Sequence, residues 1–572
     1  MTRFREWPWP GLSIFVLLLA FVSFSWRWES IYLVPAAVLA LGFVVSVLVS
    51  CWLLQWPRWG RWLDAAGKLL DQPSLALVVT LAITTFLLSV LACFFVLGPI
   101  PHIYDGFAYY FQAKMLAHGK LFLPSPPFPE FFPCGWTTIH NGKWFSICPP
   151  GWPLLLAGGI KLHIPALVNP LLGLAALAAI YGLAQELYGA TTAKLTALFC
   201  ALSPFFIFMN AEFMSHTSFL LCATLFAWLF IRGYRQLKIS LIVLAGVCQG
   251  LGFLIRPFPA LLVWSVVALF YLCHERNWRV LGALCLAGVG LACGMVIYIL
   301  YNRILVGAWL VSPLSLLSPQ NKMGFGKDIG LDWNTFPTPG HSPWRGLINL
   351  NFNIAILSND LFGWPCTSLF FVFVHLCFGK KQKADYLGLL MVLTVIGGYF
   401  FYWYHGVAFG ARFYFCLVPY LVMLTVEGAS QFPGIVRKYF SAKYELKIWQ
   451  RFTITWIMVL FLCTIFIYYP KAGLMIYNNH RGVNQDVYAF TEQNNINNAI
   501  VFISAEDSLF YGPGFIANDP DLEHGAVIYA RDLGQTENEN LVRLYPERQV
   551  YYYTYVKKEN SVKRLVKNVL SH

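Results

Sequence analysis

Long apolar segments separated by short polar ones fill most of the chain and predict a helical membrane protein. A helix that crosses the hydrocarbon core needs roughly 17 to 25 predominantly apolar residues. By this measure the sequence predicts about thirteen spans, at 11–27, 31–54, 75–97, 165–186, 193–209, 213–231, 239–256, 258–273, 279–301, 361–378, 385–404, 412–428 and 452–470. We expect the first span to be retained, because no small-residue cleavage site follows it. The expected fold is therefore all-α and polytopic.

Composition excludes a series of soluble domains. Of the 572 residues, 58% are hydrophobic and 12% are charged, whereas soluble domains carry about 25% charged residues. The net charge of +13 comes largely from lysines and arginines in short loops between apolar segments. This distribution is an orientation signal of membrane proteins. We therefore expect the lipid bilayer as a partner and no nucleic acid.

The short basic loops lie on one side of the membrane when the N-terminus is placed in the cytoplasm, as the positive-inside rule requires. The same parity places the polar segments 98–150 and 302–360 on the outer side, together with everything after residue 471. The apolar stretch 151–163 is too short to span. We interpret it as a re-entrant or interfacial segment.

The C-terminal tail differs in composition from the rest of the chain. Polar stretches alternate there with the β-rich segments AIVFIS, GAVIYA and QVYYYTYV, a pattern that predicts a small extracytoplasmic α/β domain. The expected divisions are N-terminal spans (1–97), a first outer loop (98–163), further spans (164–301), a long outer loop (302–360), the last spans (361–470) and the tail domain (471–572).

Asp105 lies in the first outer loop, directly before a segment with helical periodicity. Apolar residues recur every four positions from Phe107 to Met115, which predicts an amphipathic helix over 106–118 in the outer interface. Polar residues such as Gln112 are expected to face away. A carboxylate at the start of this helix is a favourable cap. It is equally a candidate general base for an acceptor that attacks a lipid-carried substrate.

Downstream, NGKWFSICPPGWPLLLAGG contains an Asn141–Gly142 hairpin turn and a Pro-Pro step into an apolar helix. The order of Asp105, an interfacial helix ending in A-x-G-x-L-F, this hairpin and the following helix resembles the GT-C superfamily of integral-membrane glycosyltransferases. The likeness is most specific over 98–160. It points to bacterial relatives of protein O-mannosyltransferases and of the transferases that add aminoarabinose to lipid A.

This resemblance implies an inverting transfer of one sugar from a polyprenyl phosphate donor, with Asp105 as the catalytic base. One departure from the commoner family pattern is that Asp105 is followed by Gly106 and not by Glu. The departure leaves Asp105 as the candidate base and puts in doubt any role of a neighbouring acid.

Glu212 and His216 lie four positions apart in a tight outer turn, so they share one face if a helix begins there. A solvated turn is the alternative interpretation. The resemblance favours a second acid in this region, and we therefore count Glu212 with Asp105 as a catalytic candidate. His216 is a candidate for substrate binding.

Arg256 and Arg412 stand at the outer ends of spans, where the positive-inside rule does not explain them. For Arg256, snorkelling of the side chain to the interface is an alternative. An arginine can clamp the phosphate that leaves with the lipid, because its fork of N–H groups matches phosphate oxygens. Further candidate contacts to substrate or phosphate are Lys114, Lys143 and His405.

Cys134 and Cys148 lie near each other in the first outer loop, and both a disulfide and two free thiols fit the sequence. A lone Asp lacks the clustered acids that usually hold a divalent cation. We therefore expect neither a metal nor another cofactor.

The resulting hypothesis is a glycosyltransferase of the bacterial inner membrane that moves a sugar from a polyprenyl-phosphate donor to a glycan, lipid or protein acceptor on the outer face. A transporter or flippase of lipid-linked sugars is the main alternative, and a scaffold protein is a third. A transporter predicts charges near the bilayer midplane and repeated halves. The ionisable residues of this sequence instead gather at the outer ends of spans.

Overall fold

The computed structural model describes residues 36–56, 58–61, 63, 67, 74–275, 277–331, 340–439, 445–505, 507–558 and 561–566. These residues form a bundle of apolar helices, a group of short elements at one end of the bundle, and a small α/β domain near the C-terminus. The predicted fold class is thereby confirmed. The predicted span 11–27 and the first part of 31–54 lie outside the described residues.

Eight described helices are long and apolar enough to cross a membrane, and each coincides with a predicted span. They are Leu75–Leu97, Pro165–Tyr188, His216–Gln236, Pro257–Glu275, Trp278–Val306, Lys383–Phe400, Arg412–Tyr439 and Leu446–Gly482. Arg412–Tyr439 is the most enclosed, with 89% of its apolar window buried. It therefore runs through the interior of the bundle and carries Arg412 into the protein.

Two other predicted spans are interrupted. The span predicted at 193–209 bends by 64° between Ala190–Leu202 and Pro204–Asn210, because Pro204 cannot continue the first helix but fits the first turn of the second. The prediction at 361–378 was too long, since only Phe370–Phe378 is helical. Residues before it contain a glycine with positive φ and a proline, which break the helix.

Ile239–Ile255 has 17 residues, at the short limit for a span, and is held by close packing against Trp278–Val306. Gly246 and Gly250 face Gly290 and Gly294 across this contact. A Cβ atom on Gly290 would lie 2.2 Å from the carbonyl carbon of Gly246. The two backbones touch as in the small-xxx-small contacts of membrane helices, where close approach substitutes for a hydrophobic driving force.

Shorter elements collect at the end of the bundle where Leu75–Leu97 ends. The helix Tyr104–Ala117 is named the outer helix after the side on which the sequence predicts it. It is followed by the strands β1 (Leu123–Pro124), β2 (Thr137–His140) and β3 (Lys143–Ser146) in the order β1-β3-β2. β2 and β3 form the predicted hairpin. Its turn residues Asn141 and Gly142 have φ of 51° and 71°, as a type I′ turn requires.

Three more helices lie among these elements. Gly151–Lys161 has eleven residues, too few to cross a membrane. The long segment 302–360 is not only a loop: it contains the short helix Pro313–Leu317 and the 18-residue helix Pro343–Asp360. Pro343–Asp360 is tied to the loop at 401–411 by Asn353, whose amide donates to the carbonyl oxygen of His405 at 2.7 Å.

The tail domain has a four-stranded sheet in the order β5-β4-β6-β7. Its strands are β4 (Ala499–Ser504), β5 (Val527–Arg531), β6 (Gln549–Lys558) and β7 (Ser561–Val566). β4 pairs in parallel with β5 and β6, and β6 pairs antiparallel with β7. The helices Asp486–Gln493, Gly512–Ala517 and Gln535–Leu544 complete the domain. All three predicted β-rich segments are strands.

The tail domain packs directly on the outer helix. Phe515 lies 5.0 Å from Phe111 between ring centroids, and a Cβ on Gly512 would come within 2.2 Å of the Phe107 ring. The amphipathic interpretation of the outer helix was therefore wrong. Its apolar face is covered by protein, and Gln112, expected to face away, is fully buried with its amide nitrogen donating to the carbonyl oxygen of Leu121.

Candidate active site

A cavity of about 370 Å³ opens where the outer helix begins. Its walls come from the outer helix, the hairpin, the junction after Ile239–Ile255, and the loop at 401–411. The charged residues that line it are Asp105, Arg256, Lys322, Arg412 and Arg481. With four cations and one acid among its described lining residues, the cavity is electropositive. Such a surface attracts and holds phosphate.

Asp105 is the second residue of the outer helix and projects into this cavity. The helix begins after Ile103, and no side chain caps it. The capping role that we considered for Asp105 is therefore not realised. The carboxylate still gains from the positive end of the helix dipole. Its side chain is 34% exposed, which leaves it accessible to a ligand.

Arg412 is the ion-pair partner of Asp105. Its Nη1 donates to Oδ2 of Asp105 at 3.2 Å, and its Nε donates to the carbonyl oxygen of Gly406 at 2.7 Å. The Arg412 side chain is only 6% exposed. A guanidinium has five N–H donors, and these two contacts use two of them. Arg412 can therefore hold Asp105 and a phosphate oxygen together.

Gly406 fixes the turn that presents Arg412. Its φ of +73° is strained for any residue that carries a side chain. A Cβ at this position would also lie 2.1 Å from the ring of Phe413. Phe413 in turn lies beside both arginines, with ring centroid distances of 5.4 Å to the guanidinium of Arg412 and 5.6 Å to that of Arg256. The aromatic ring thus stabilises two neighbouring cations through its π face.

Arg256 is held by hydroxyl groups. Its Nη1 donates to Ser215 Oγ and its Nη2 to Tyr399 Oη, both at 3.3 Å. No carboxylate among the described residues forms an ion pair with it. A partly buried cation without an acid is costly unless an anion completes the site. Arg256 is therefore positioned to bind an anionic ligand.

Lys322 and Arg481 line the cavity but were missed from the sequence. Lys322 belongs to the segment 302–360, and Arg481 to the end of the last helix long enough to span. Both are exposed cations on the side that the parity argument makes outer. Arg256 and Arg412 were selected because the positive-inside rule does not explain them. The same criterion could have selected Lys322 and Arg481.

His216 also lines the cavity, and it is almost fully buried. Neither of its ring nitrogens has a hydrogen-bond partner. His405 lies nearby but does not line the cavity; its Nδ1 accepts from the N–H of Val407 at 3.0 Å. Burial, followed by the charges of Arg412 and Arg481, lowers the pKa of His405 to about 4. His405 therefore supports the turn as a neutral ring.

Glu212 is not placed with Asp105. It lies in a turn before the helix His216–Gln236, so the expected shared helical face with His216 is not formed. Its Oε1 lies 2.6 Å from Nδ1 of His102, and its Oε2 accepts from the N–H of Phe213 at 2.9 Å. Both side chains of this pair are fully buried. Glu212 thus forms a buried pair with His102, which the sequence analysis missed, and its catalytic role stays a prediction.

Lys114 and Lys143 do not line the cavity. The ammonium group of each donates instead to carbonyl oxygens at the end of a helix. Lys114 Nζ donates to the carbonyl oxygens of Ile516 and Asn518 at 2.8 and 2.7 Å, at the end of Gly512–Ala517. Burial lowers the pKa of Lys114 to about 8. Lys143 Nζ donates to the carbonyl oxygen of Ile304 at 2.6 Å.

Cys134 and Cys148 are free thiols in the structure, and Cys148 lines the cavity. Burial raises the pKa of both thiols, Cys134 and Cys148, which keeps them protonated. Among the described residues, no three His, Cys, Asp or Glu side chains are arranged to hold a metal ion.

Residues 149–301, about a quarter of the chain, match the protein family described as dolichyl-phosphate-mannose-protein mannosyltransferase. The match begins at the Pro-Pro step after the hairpin and includes Arg256. No curated protein sequence is significantly similar to this chain.

Three solved structures that are remotely similar to the chain each have a TM-score below 0.5. ArnT from Cupriavidus metallidurans bound to undecaprenyl phosphate aligns with 11% identity and a TM-score of 0.49, over 84% of this chain and 92% of that one. The oligosaccharyltransferase of Archaeoglobus fulgidus aligns with 14% identity and a TM-score of 0.43, over 84% and 69% of the two chains. The arabinofuranosyltransferase AftD from Mycobacteria has 12% identity and a TM-score of 0.43, over 84% and 35%. The family match confirms the resemblance to the GT-C superfamily of membrane glycosyltransferases that the outer-loop motifs indicate.

Proposed function

We propose that the chain transfers one sugar from a polyprenyl-phosphate donor to an acceptor hydroxyl on the outer face of a bacterial inner membrane, with inversion at the anomeric carbon. The observation that carries this proposal is the Asp105–Arg412 ion pair on the wall of a cavity with three further cations. The matched family, described by a lipid-phosphate sugar donor, supports it.

In the proposed reaction Asp105 accepts the proton of the acceptor hydroxyl as its oxygen attacks the anomeric carbon. The new bond joins the acceptor oxygen to that carbon. The bond between the carbon and the phosphate oxygen breaks, and its electron pair leaves with the polyprenyl phosphate. A single displacement of this kind inverts the configuration of the sugar.

Arg412 links the base to the leaving group. Its contact with Asp105 orients the carboxylate, while its remaining N–H groups are available for the phosphate. Arg256 has no acid partner among the described residues and supplies a second cation for the charge that develops as the bond breaks. Lys322 and Arg481, both exposed, attract the phosphate to the cavity.

The proposal is tested with purified protein in detergent, supplied with radiolabelled undecaprenyl-phosphate mannose or undecaprenyl-phosphate arabinose and an extract of cell-envelope acceptors. The expected result is a labelled product with inverted anomeric configuration by NMR, together with free undecaprenyl phosphate. Transport of labelled lipid across proteoliposomes without sugar release would support the flippase instead. A product of retained configuration would contradict the single-displacement mechanism.

A further inference from the structure

A second cleft, of about 410 Å³, lies between the hairpin and the tail domain. One wall is the strand β2 with the loop before it, including Gly135 and Thr138, and the other contains Ser508. Ser508 follows the carboxyl end of β4, one of the two inner strands of the tail sheet. In parallel sheets, ligands characteristically bind beyond the carboxyl ends of strands where the chain order reverses.

The chemistry of this cleft differs from that of the cationic cavity. Its lining provides the hydroxyls of Thr137, Thr138 and Ser508 together with the indole of Trp144. None of the described residues that line it is charged. Asp507 lies beside Ser508 but accepts hydrogen bonds from Tyr104 Oη and from the N–H of Leu509. Neutral hydroxyls, which accept as well as donate hydrogen bonds, suit a polyhydroxylated, uncharged ligand.

Only a thin wall separates the two spaces. Tyr104 lines the cavity, and its hydroxyl lies 2.6 Å from Ser508 Oγ of the cleft. Along the loop, Gly135 and Thr137 line the cleft whereas Trp136 lines the cavity. Since Tyr104 directly precedes Asp105 in the outer helix, a ligand that passes this wall arrives at the proposed base.

Trp136 in this wall has a φ of +66°. A bulky residue in the left-handed region is an outlier that persists only where its surroundings impose it, and such outliers cluster at binding sites. The neighbouring residue Gly135 packs tightly on Tyr104, since a Cβ on Gly135 would lie 2.6 Å from the Tyr104 ring. The glycine thus permits Tyr104 to sit between the two spaces.

We propose that this cleft binds the acceptor, and that the acceptor is an uncharged glycan whose terminal hydroxyl reaches Asp105 past Tyr104. The assignment rests on the proposed glycosyltransferase function. It gives the tail domain a role in substrate selection, through Ser508, and separates the two substrates by charge. The lipid phosphate occupies the cationic cavity, and the neutral glycan occupies the neutral cleft.

The experiment uses the full-length protein with a labelled undecaprenyl-phosphate sugar and a panel of fluorescent neutral di- to tetrasaccharides. Serine- and threonine-containing peptides and a phosphorylated glycolipid are supplied as alternative acceptors. Thr138→Trp fills the cleft, and Ile139→Trp is a second filling variant at a residue that is 38% exposed and tolerates bulk. His140→Trp is the matched control, because His140 is on the same strand but lines neither space. We expect the two filling variants to raise the KM for saccharide roughly tenfold at unchanged donor affinity, and the control to match the intact protein.

Four other results overturn the assignment. An unchanged saccharide KM in both filling variants removes the cleft as the acceptor site while leaving the transferase function intact. Transfer only to serine- or threonine-containing peptides, or only to a phosphorylated glycolipid, contradicts the neutral-glycan assignment. No transfer by the intact protein to any of these acceptors counts against the proposed function itself.

Discussion

Arg412 Nη1 lies 3.2 Å from Oδ2 of Asp105, although the two residues are 307 positions apart in the chain. One comes from an outer helix and the other from the start of the most enclosed spanning helix. This contact connects the proposed base with the proposed phosphate site. Binding of a lipid phosphate beside Arg412 is therefore expected to alter the environment of Asp105 directly.

Replacing Arg412 by lysine removes the fork of donors but keeps the positive charge. Because lysine cannot contact Asp105, Gly406 and a phosphate together, we expect donor affinity to fall roughly 10- to 100-fold. Binding of labelled undecaprenyl-phosphate sugar measures this. Arg303→Lys is the control, since Arg303 lies over Trp309 away from the cavity. Equal affinity of Arg412→Lys and the intact protein would remove Arg412 from the phosphate site.

Replacing Gly406 by alanine tests the turn that presents Arg412. The positive φ and the overlap of the new Cβ with Phe413 together should destabilise the folded protein by about 2 to 4 kcal/mol. Thermal unfolding followed by tryptophan fluorescence measures the loss. Gly397→Ala is the control, because nothing lies within 4 Å of a Cβ there. A Gly406 variant as stable as this control would show that the turn is not constrained.

Lys322→Gln and Arg481→Gln test the exposed cations at the cavity. Each should weaken donor binding roughly two- to fivefold and reduce its dependence on salt, as expected for exposed charges. Donor affinity at low and high ionic strength measures both effects. Lys327→Gln, at an exposed position of the same outer segment that does not line the cavity, is the control. Variants with an unchanged salt dependence would contradict the electrostatic role.

The stability of the protein should depend on His405 in acid. Its pKa is about 4 in the folded protein against 6.5 ordinarily, so the unfolded chain binds the proton first. Stability is therefore unaffected above pH 6.5 and falls as the pH decreases from 6.5 to 4, by up to about 3 kcal/mol. Unfolding of the protein and of His405→Asn across this range measures the difference. The same acid loss in His405→Asn would exclude this residue as its source.

Hydropathy predicted the spanning helices because lipid imposes a length and a composition on each segment. It failed at 361–378, where a glycine and a proline break the helix but lower the hydropathy of the apolar stretch too little to show the break. Periodicity failed for the outer helix, because an apolar face that packs on a tail domain has the same pattern as one that lies on lipid. Nothing local to the outer helix signals that Phe111 contacts Phe515.

For the site, individual positions could be predicted but pairings could not. One cavity is lined by Asp105, Arg256, Arg412 and His216. The sequence had indicated such a grouping, because its ionisable residues gather at the predicted outer ends of spans. Glu212 has the same local features as a catalytic acid, yet it pairs with His102, which only the three-dimensional packing reveals. The contacts of Lys114 could not be predicted either, since its partners are carbonyl groups of the distant tail domain.

The most direct test of the account compares the intact protein with Asp105→Asn, with donor binding measured on the same samples. Asparagine keeps an oxygen that accepts from Arg412 but cannot take a proton from the acceptor. We expect the release of undecaprenyl phosphate to fall roughly 10²- to 10⁴-fold, while donor affinity stays close to that of the intact protein. Release at an undiminished rate by the variant would contradict Asp105 as the base.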